Sequence, residues 1–388
     1  MYHIKCLNKI SPAGTRRFGE GYTVDSTEEK PDAILVRSAS LHEMEFPKNL
    51  LAIARAGAGV NNIPLDRCSE NGIAVFNTPG ANANAVKEIV VAALLLSSRR
   101  IIPAVGWASS LKGKGGEVGK LVEKGKSNFA GPEIAGKTLG VIGLGAVGTL
   151  VANAASSLDM AVYGYDPYLS VDAAWGLSRS VHHARSLDEI FEKSDYITIH
   201  VPFMPSTKNM INADAIAKMK NGVRLLNFAR GGLVDDGAVL EGVKKGKVAC
   251  YVTDFPDDSL LGVENVIAVP HLGASTPESE NNCARMAADE LKEYLENGNI
   301  HNSVNMPAVS MPRGGFMRIC LFHRNVPNTI GKLSGLLANS GINIENMQSK
   351  AKKDYAYTII DVTGSTEKVT PQKLEDIEEV IRARIIPA

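Results

Sequence analysis

The sequence lacks a net charge, a cysteine framework and a long apolar segment. Lysine plus arginine and aspartate plus glutamate number 42 each among 388 residues, so no global field attracts nucleic acid or an anionic membrane. The five cysteines are widely separated and form no CxxC pair, which argues against a disulfide framework or a zinc site. The amino terminus has no apolar signal-peptide core, and the most apolar run, 89–96, is far shorter than the about 20 residues that span a bilayer. These absences predict a cytoplasmic protein that binds no nucleic acid, no membrane and no metal.

What the sequence does contain is typical of a globular α/β protein. Hydrophobic residues make up 44% of the chain, and 36 glycines punctuate it. Short apolar runs at 33–36, 51–54 and 73–76 are each followed by turn residues, and from 138 to 270 strand-like runs alternate with helical ones. This alternation predicts two Rossmann-like domains, each a doubly wound parallel sheet covered by helices.

A third, smaller domain is predicted at the carboxyl end. After a segment rich in proline and glycine, the pattern reads strand, helix, two strands, helix and strand. This βαββαβ order is typical of small regulatory folds that bind ligands. The predicted boundaries are 1–98 with 276–305 for the first domain, 99–275 for the second and 316–388 for the third.

The string GVIGLGAVGTL carries the clearest chemical signal. It places Gly143, Gly145 and Gly148 directly after a strand and at the start of a helix, where backbone N–H groups can meet a pyrophosphate. The next strand ends at Asp166, whose carboxylate can accept hydrogen bonds from ribose hydroxyls and repels a 2′-phosphate. Glycines also serve tight packing, but strand, turn, helix and acid are in register here. The motif predicts NAD rather than NADP.

Two further side chains follow predicted strands, where open α/β sheets place their ligands. Arg230 precedes a glycine pair, and its guanidinium can hold a carboxylate bidentately and polarise a neighbouring carbonyl. The alternative is an arginine in a salt bridge at the edge of the sheet. His271 has an imidazole suited to proton transfer near neutral pH, although a lone histidine is more often structural.

Together these strings resemble the D-2-hydroxyacid dehydrogenase family over residues 1 to about 305. They are GLGAVG with Asp166, HVP at 200–202, NFARGG around Arg230, and PHLGAST around His271. The resemblance implies that Arg230 orients the substrate and that His271 removes the hydroxyl proton as a hydride leaves for NAD. It also implies that Asp254 lies near the nicotinamide ring, that the first domain binds substrate and that the second binds NAD.

The resemblance also assigns the remaining binding residues. For the cofactor it implies Gly143, Gly145, Ala146, Val147, Gly148, Asp166, His200, Val201, Pro202, Thr207, Ala229, Arg230, Asp254, His271 and Gly273. For a small anionic hydroxyacid it implies Arg37, Ser38, Gly57, Ala58, Gly59 and Asn82, with Arg230 and His271. Ser38, Gly57 and Asn82 can equally be read as turn residues. Arg37 is the stronger prediction, because an anionic substrate needs a cation.

One departure from the family concerns the partner of the histidine. The family usually follows its aspartate with a glutamate that pairs with the catalytic histidine, and the stretch DFPDDSLLGVEN has no glutamate at that place. Either Asp257 or Asp258 could orient the imidazole, whereas Glu264 lies too close to the next strand. Asp258 is taken as the third catalytic residue.

Residues 316–388 resemble an ACT domain, which family members of the serine pathway often carry. That implies oxidation of 3-phospho-D-glycerate to 3-phosphooxypyruvate, the first step towards serine, by a homodimer or homotetramer. It also implies that His323 and Asn325, with Asn343 across a domain pair, contact an amino-acid effector such as serine. Asn328 stands where the family commonly has glycine, which would alter the response to an effector.

Two alternatives to this function stay open. One keeps the mechanism but uses another small 2-hydroxy or 2-oxo acid, such as glycerate or 2-oxoglutarate. The other is a non-catalytic protein that senses NAD on the same scaffold, since fold alone does not establish catalysis. The presence of both Arg230 and His271 argues against the second alternative.

Overall fold

The computed structural model describes residues 1–364 and 369–388. The chain forms two compact units: unit 1 is Met1–Asn82 with Pro277–Ala388, and unit 2 is Ala83–Thr276. All five cysteines are free thiols. Among the described residues no single helix has both the length and the apolar character needed to cross a membrane, although Ala83–Ser98 and Ile101–Ser110, bent by 66°, satisfy both criteria as a pair.

The secondary structure of the described residues alternates strands and helices over most of the chain. The strands are β1 (Tyr2–Leu7), β2 (Tyr22–Asp25), β3 (Ala33–Val36), β4 (Ala52–Arg55), β5 (Ala74–Phe76), β6 (Thr138–Ile142), β7 (Ala161–Tyr165), β8 (Val181–His183), β9 (Tyr196–Ile199), β10 (Val223–Asn227), β11 (Val248–Thr253), β12 (Val266–Ala268), β13 (Met317–Arg324), β14 (Asn343–Lys352), β15 (Tyr355–Thr363) and β16 (Val380–Ile386). The α-helices are α1 (Pro12–Thr15), α2 (Leu65–Glu70), α3 (Ala83–Ser98), α4 (Ile101–Ser110), α5 (Val118–Gly125), α6 (Ala146–Ser157), α7 (Val171–Gly176), α8 (Leu187–Lys193), α9 (Ala213–Lys218), α10 (Asp236–Lys244), α11 (Pro277–Asn297), α12 (Thr329–Asn339) and α13 (Pro371–Glu375).

Unit 1 contains a five-stranded parallel sheet in the order β2-β1-β3-β4-β5. All four residues of β3 are buried, because both faces of the sheet are covered. Ala33 and Leu35 pack in a core with the long helix α11, while Ile34 and Val36 belong to a second core on the opposite face. A continuous apolar run of this kind is typical of a strand buried on both sides.

Unit 2 contains a seven-stranded parallel sheet in the order β12-β11-β10-β9-β6-β7-β8. The chain starts at β6 in the middle, builds outwards to β8, and then crosses to β9 and builds outwards to β12. The direction therefore reverses between β6 and β9, and apolar cores cover both faces. The predicted doubly wound sheets are confirmed, and in such sheets ligands bind beyond the carboxyl ends of the strands at the reversal.

The carboxyl-terminal residues form a four-stranded antiparallel sheet in the order β14-β15-β13-β16. The predicted βαββαβ order is confirmed. Side chains alternate along β13: Ile319 and Leu321 pack with α12 and α13, whereas Cys320 and Phe322 face the opposite way. That second face shares one apolar core with α11 and β5, which is why this sheet belongs to the same compact unit as the first one.

Several elements of the structure were not predicted from the sequence. They are the strands β1, β2 and β8 and the helix α4. The chain passes from unit 1 to unit 2 after Asn82 and returns to unit 1 after Thr276, so α3 lies wholly in unit 2. The three-domain boundaries drawn from the sequence stay a prediction.

Candidate active site

The glycine turn of unit 2 lies between β6 and α6, and its three glycines meet three different demands. Gly143 has a φ of +90°, and a Cβ there would come 2.7 Å from the carbonyl oxygen of His200. A Cβ at Gly148 would overlap the carbonyl oxygen of Gly143, so helix and turn pack in contact. A Cβ at Gly145 would meet nothing within 4 Å, which leaves open space in front of the helix.

The start of α6 presents backbone donors to that space. Gly145 caps the helix without a side-chain hydrogen bond, and Ala146, Val147 and Gly148 are the first residues of the helix. The first N–H groups of a helix have no intrahelical acceptor and carry the positive end of its dipole. This end of α6 can therefore receive a pyrophosphate without a charged side chain.

Asp166 follows β7 and is fixed by the turn that it faces. Its Oδ2 accepts a hydrogen bond of 2.9 Å from the backbone N–H of Leu144, and its Oδ1 accepts one of 2.8 Å from that of Tyr168. Each oxygen keeps a lone pair for a further donor. The carboxylate is held in one orientation beside the glycine turn, as recognition of ribose hydroxyls requires.

The residues after β9 lie on the other side of the glycine turn from Asp166. The Nε2 of His200 lies 2.9 Å from Thr198 Oγ1, and burial lowers the pKa of His200 to about 3, so the ring stays neutral. Val201 and Pro202 continue the turn, and Thr207 donates a hydrogen bond of 2.8 Å to the carbonyl of Pro202. Thr207 thereby closes a short loop at the point where the sheet reverses.

Arg230 lies in the turn after β10. Asn227, the last residue of that strand, donates from Nδ2 to the carbonyl of Arg230 at 2.9 Å and accepts from the N–H of Ala229 at 3.2 Å. The Nη1 of Arg230 donates to the carbonyl of Ala229 at 2.7 Å. Asn227 therefore fixes the turn. The guanidinium of Arg230 is half-buried and forms no ion pair with any described residue. The salt-bridge alternative has no support from this geometry.

Asp254 is a buried carboxylate that interacts electrostatically with Arg230 and His271. Its Oδ2 accepts a hydrogen bond of 3.1 Å from the N–H of Gly273, and its Oδ1 is buried without a partner. Burial raises the pKa of Asp254, while the Gly273 hydrogen bond and the charges of His271 and Arg230 act in the opposite direction. Arg230, Asp254 and His271 thus form one electrostatic group in unit 2.

His271 itself is exposed and packs against an aromatic ring. The imidazole lies 4.6 Å from the ring of Phe255, centroid to centroid, and tilted by 48°. No ion pair within 4.0 Å joins it to an acid in the described part of the chain. Asp258 is exposed at the start of a short 3₁₀ helix, Asp257 accepts from Ser259, and Glu264 pairs with Arg100 at 3.1 Å. The role predicted for Asp258 stays a prediction.

The predicted substrate residues belong to unit 1. Arg37 pairs with Glu280 at 2.8 Å, and the N–H of Ser38 donates to Asn8 Oδ1 at 2.9 Å. Ala58 accepts from Asn77 at 2.6 Å, and Asn82 is half-buried. The turn that contains Gly57 and Gly59 is organised by a residue that the sequence analysis missed.

That residue is Arg55, the last residue of β4. It donates from Nε to the carbonyl of Arg37 at 2.9 Å and from Nη1 to the carbonyl of Gly59. A Cβ at Gly57 would come 2.8 Å from the same Nη1, so the turn wraps closely around the guanidinium. The predicted site included Gly57, Ala58 and Gly59 of this turn but not Arg55, and the signal that could have found Arg55 was its position as a cation at a strand end.

The predicted effector residues lie at different depths in the carboxyl-terminal sheet. His323 is 3% exposed, with Nδ1 donating to the carbonyl of Arg324 at 2.9 Å and Nε2 lying 2.8 Å from Thr358 Oγ1. Asn325 donates to the carbonyl of Lys353, and Asn343 to Glu345, both at the surface. Asn328 has a φ of +67°, a conformation that glycine adopts freely and asparagine tolerates.

Comparisons with a family model and with known proteins agree on one family. Residues 92–273 match the family model described as D-isomer specific 2-hydroxyacid dehydrogenase, NAD binding domain. Three similar proteins are D-3-phosphoglycerate dehydrogenases. That of Methanocaldococcus jannaschii is 34% identical over 81% of this chain and 60% of its own length. That of Haemophilus influenzae is 33% identical over 88% and 83%. That of Homo sapiens is 34% identical over 79% and 57%.

Solved structures share the fold. The NAD⁺-bound 3-phosphoglycerate dehydrogenase of Entamoeba histolytica superposes with a TM-score of 0.61 at 24% identity, over 78% of this chain and 98% of that one. D-2-hydroxyisocaproate dehydrogenase superposes with a TM-score of 0.64 at 22% identity, over 78% and 99%. At these identities the likeness concerns the fold and not the substrate.

Proposed function

The chain belongs to the D-isomer specific 2-hydroxyacid dehydrogenases, which use NAD, and from that premise we propose that it oxidises 3-phospho-D-glycerate to 3-phosphooxypyruvate. This choice of substrate rests on the relatives from an archaeon, a bacterium and man. Each is 33–34% identical to this chain, and each is a D-3-phosphoglycerate dehydrogenase. The chain spans only 60% and 57% of the first and last of these relatives, so the substrate is a proposal.

The glycine turn of unit 2 fits the dinucleotide. The open space at Gly145 and the uncapped start of α6 accept the pyrophosphate, and Asp166 accepts hydrogen bonds from the ribose. When bound, NAD supplies the acceptor for the hydride that leaves the hydroxyl-bearing carbon of the substrate. A side chain at Gly145 would fill the space that the pyrophosphate needs.

The chain's own residues supply the remaining steps. In the proposed reaction the guanidinium of Arg230 holds the substrate carboxylate and polarises the carbonyl that forms. The imidazole of His271 accepts the hydroxyl proton as the general base. Asp254 holds the loop after His271 through Gly273, and its negative charge stabilises the imidazolium.

A substrate panel tests the proposal. NADH formation is followed with 3-phospho-D-glycerate, D-glycerate and D-2-hydroxyglutarate, and in reverse with the corresponding oxo acids. We expect the highest kcat/KM for the phosphorylated substrate. A higher kcat/KM for another acid would show that the chain is a dehydrogenase of that acid instead. An absence of turnover with every acid would support the alternative of a protein that only binds NAD.

Variants separate the residues that act from those that only carry charge. Replacing Arg230→Ala removes orientation and polarisation together, and we expect kcat/KM to fall by about a thousandfold or more. The matched control is Arg179→Ala, which removes an exposed arginine of the same unit that has no ion pair in the described structure. A near-normal rate in Arg230→Ala would refute its role.

Two finer features remain proposals. We infer a homodimer or homotetramer and an amino-acid effector from the resemblance of residues 316–388 to an ACT domain. The surface positions of Asn325 and Asn343 are compatible with a ligand there. His323 would have to exchange its partners to take part, because both ring nitrogens are already engaged and burial lowers its pKa.

A further inference from the structure

The five-stranded sheet of unit 1 has a reversal point of its own. From β1 the chain adds β2 on one side, and then crosses back to add β3 on the other side. In open parallel sheets, the carboxyl ends of the strands beside such a reversal form a crevice that binds ligands. Neither the predicted substrate residues nor the glycine turn uses the carboxyl ends of β1 and β2.

Asn8 builds this edge. It follows β1 with a φ of +70°, which aims its side chain across the gap between β1 and β3. Its Oδ1 accepts hydrogen bonds from the N–H groups of Ser38 at 2.9 Å and Ala39 at 2.7 Å. The turns after the two strands are therefore tied together.

Beside Asn8, on the β2 side of β1 and next to the reversal point, lies a cleft of about 420 Å³, which is within the usual range for a small-molecule site. Two cations, Lys9 and Arg16, line it together with the hydroxyl-bearing Thr15 and Ser26. Neither cation forms an ion pair within the described part of the chain, whereas the next residue, Arg17, is bound to Asp289 at 2.7 Å. Two positive charges of this lining thus have no ion-pair partner among the described residues.

The other ionisable groups of the cleft do not cancel these charges. Asp25 is the one carboxylate of the lining, and both its oxygens accept hydrogen bonds from Thr27, at 3.0 and 2.9 Å. Those hydrogen bonds lower the pKa of Asp25, so it stays ionised. Burial raises the pKa of the Cys6 thiol to about 11, so Cys6 adds no charge. Two cations against one anion leave the lining with a net positive charge.

We propose that this cleft binds a phosphate monoester. A phosphate dianion can accept charge-assisted hydrogen bonds from Lys9 and Arg16 at once, and an arginine fork fits two of its oxygens. The hydroxyls of Thr15 and Ser26 can donate to the third oxygen. A carboxylate offers one oxygen fewer and one charge fewer, so the cleft prefers phosphate.

Titration with inorganic phosphate tests the site without any reference to catalysis. Binding is measured by calorimetry on the full chain at constant ionic strength, with chloride as the balancing salt. The variant Lys9→Met/Arg16→Met should bind phosphate at least about tenfold more weakly, since each lost partner is a hydrogen bond to a charged group. Both side chains are exposed, so the variant should fold normally.

The control is Lys30→Met, which removes an exposed lysine of the same unit that precedes β3 and hence lies at the amino end of the sheet. It should leave phosphate affinity unchanged. Equal binding by the wild-type chain and the double variant would overturn the proposal, and so would an absence of phosphate binding to the wild-type chain.

A second measurement identifies the source of the phosphate, and this part rests on the proposed function. If the cleft holds the substrate's own phosphate, the double variant raises the KM for 3-phospho-D-glycerate about tenfold or more and leaves the KM for D-glycerate unchanged. If phosphate binding is lost while both KM values are unchanged, the ligand is a separate phosphate compound. Failure of the chain to oxidise 3-phospho-D-glycerate would leave the phosphate titration fully interpretable.

Discussion

The glycine turn of unit 2 and the carboxyl-terminal sheet of unit 1 are held in place by different means. The turn depends mainly on residues close together in sequence, Gly143 to Gly148, with Asp166 and the backbone of His200 as distant contacts. The sheet depends on a buried arginine, Arg318, and a half-buried one, Arg384, that reach backbone carbonyls of other elements. The glycine turn is therefore specified by a local sequence motif, whereas the contacts of the carboxyl-terminal sheet form only when distant parts of the chain come together.

The arginine contacts converge on the end of α11. Arg384 donates to the carbonyl of Leu295 at 2.8 Å and lies over the ring of Tyr294 at 4.7 Å. Arg318 donates to the carbonyl of Asn297 at 2.9 Å, and Tyr357 to that of Gly298 at 2.7 Å. The last carbonyls of a helix have no intrahelical donor. The carboxyl-terminal sheet therefore acts as a cap on α11 and is an integral part of unit 1.

The largest effect should come from filling the glycine turn. In Gly148→Val the new side chain would overlap the carbonyl of Gly143, which is backbone and cannot move aside cheaply. We expect a loss of more than about 5 kcal/mol in the free energy of unfolding, enough to prevent recovery of folded unit 2. Circular dichroism and NADH fluorescence measure folding and cofactor binding.

Gly145→Ala is the matched variant for that experiment. Its Cβ meets nothing in the structure, so the fold should be retained while NADH affinity falls, because the methyl group enters the space proposed for the pyrophosphate. If Gly148→Val bound NADH like the wild-type chain, the contact between helix and turn would not be what shapes this site.

The next largest effect should come from the buried ion pair of the carboxyl-terminal sheet. Arg318 contacts Asp361 through two hydrogen bonds of 2.7 and 2.9 Å, and the two side chains are 0% and 3% exposed. Arg318→Met leaves Asp361 as an unpaired buried charge, which should lower the free energy of unfolding by about 3–5 kcal/mol. Urea denaturation at neutral pH measures it.

Arg17→Met is the control for this prediction. Its pair with Asp289 has the same 2.7 Å distance but lies at the surface, where water screens it. We expect no measurable change in stability. If both variants behaved alike, burial would not distinguish the two pairs, and the sheet would be held by its apolar core alone.

The parts of the molecule also differ in how far the sequence predicted them. The glycine turn was predicted residue by residue, because strand, turn and helix each leave a local signal. The strands β1 and β2 were missed since they are mostly half-buried or exposed and so lack a clear alternation. The helix α4 was missed because it contains Pro103 and Gly106 and buries no residue, which removes the apolar face that marks a helix.

The same reasoning explains which site residues were predicted. Arg230 and His271 follow strands and carry chemistry, so their position and residue type predicted them. Asp254 was predicted from the family resemblance, but its hydrogen bond with Gly273 and the contact of Asn227 with Arg230 depend on which turn packs against which, and no spacing encodes that. Likewise, nothing local to Arg384 indicates that it will reach Leu295, 89 residues away. Contacts of this kind come from tertiary packing, which a single sequence does not display.

The smallest of these effects concerns a buried ionisable group that, unlike Arg318, lacks a full set of partners. Glu290 on α11 is 7% exposed; its Oε1 accepts from Asn302 at 2.6 Å, and its Oε2 is buried without a partner. Burial raises its pKa from 4.5 to about 8. The folded state therefore binds this proton more tightly than the unfolded state does. Its contribution to stability is complete below pH 4.5, and it is lost as the pH rises towards 8.

Glu290→Gln removes that dependence and keeps the acceptor for Asn302. Relative to the wild-type chain, the variant should gain on the order of 2 kcal/mol in the free energy of unfolding at the alkaline end of that range, and little at the acidic end. Urea denaturation at a series of pH values measures both ends. The control Glu296→Gln alters an exposed acid on the same helix and should leave the pH profile unchanged. A constant difference between Glu290→Gln and the wild-type chain at every pH would mean that Glu290 is ionised in the folded state. The helix α11 would then hold an unpaired buried charge, whereas the buried charge of Arg318 is paired.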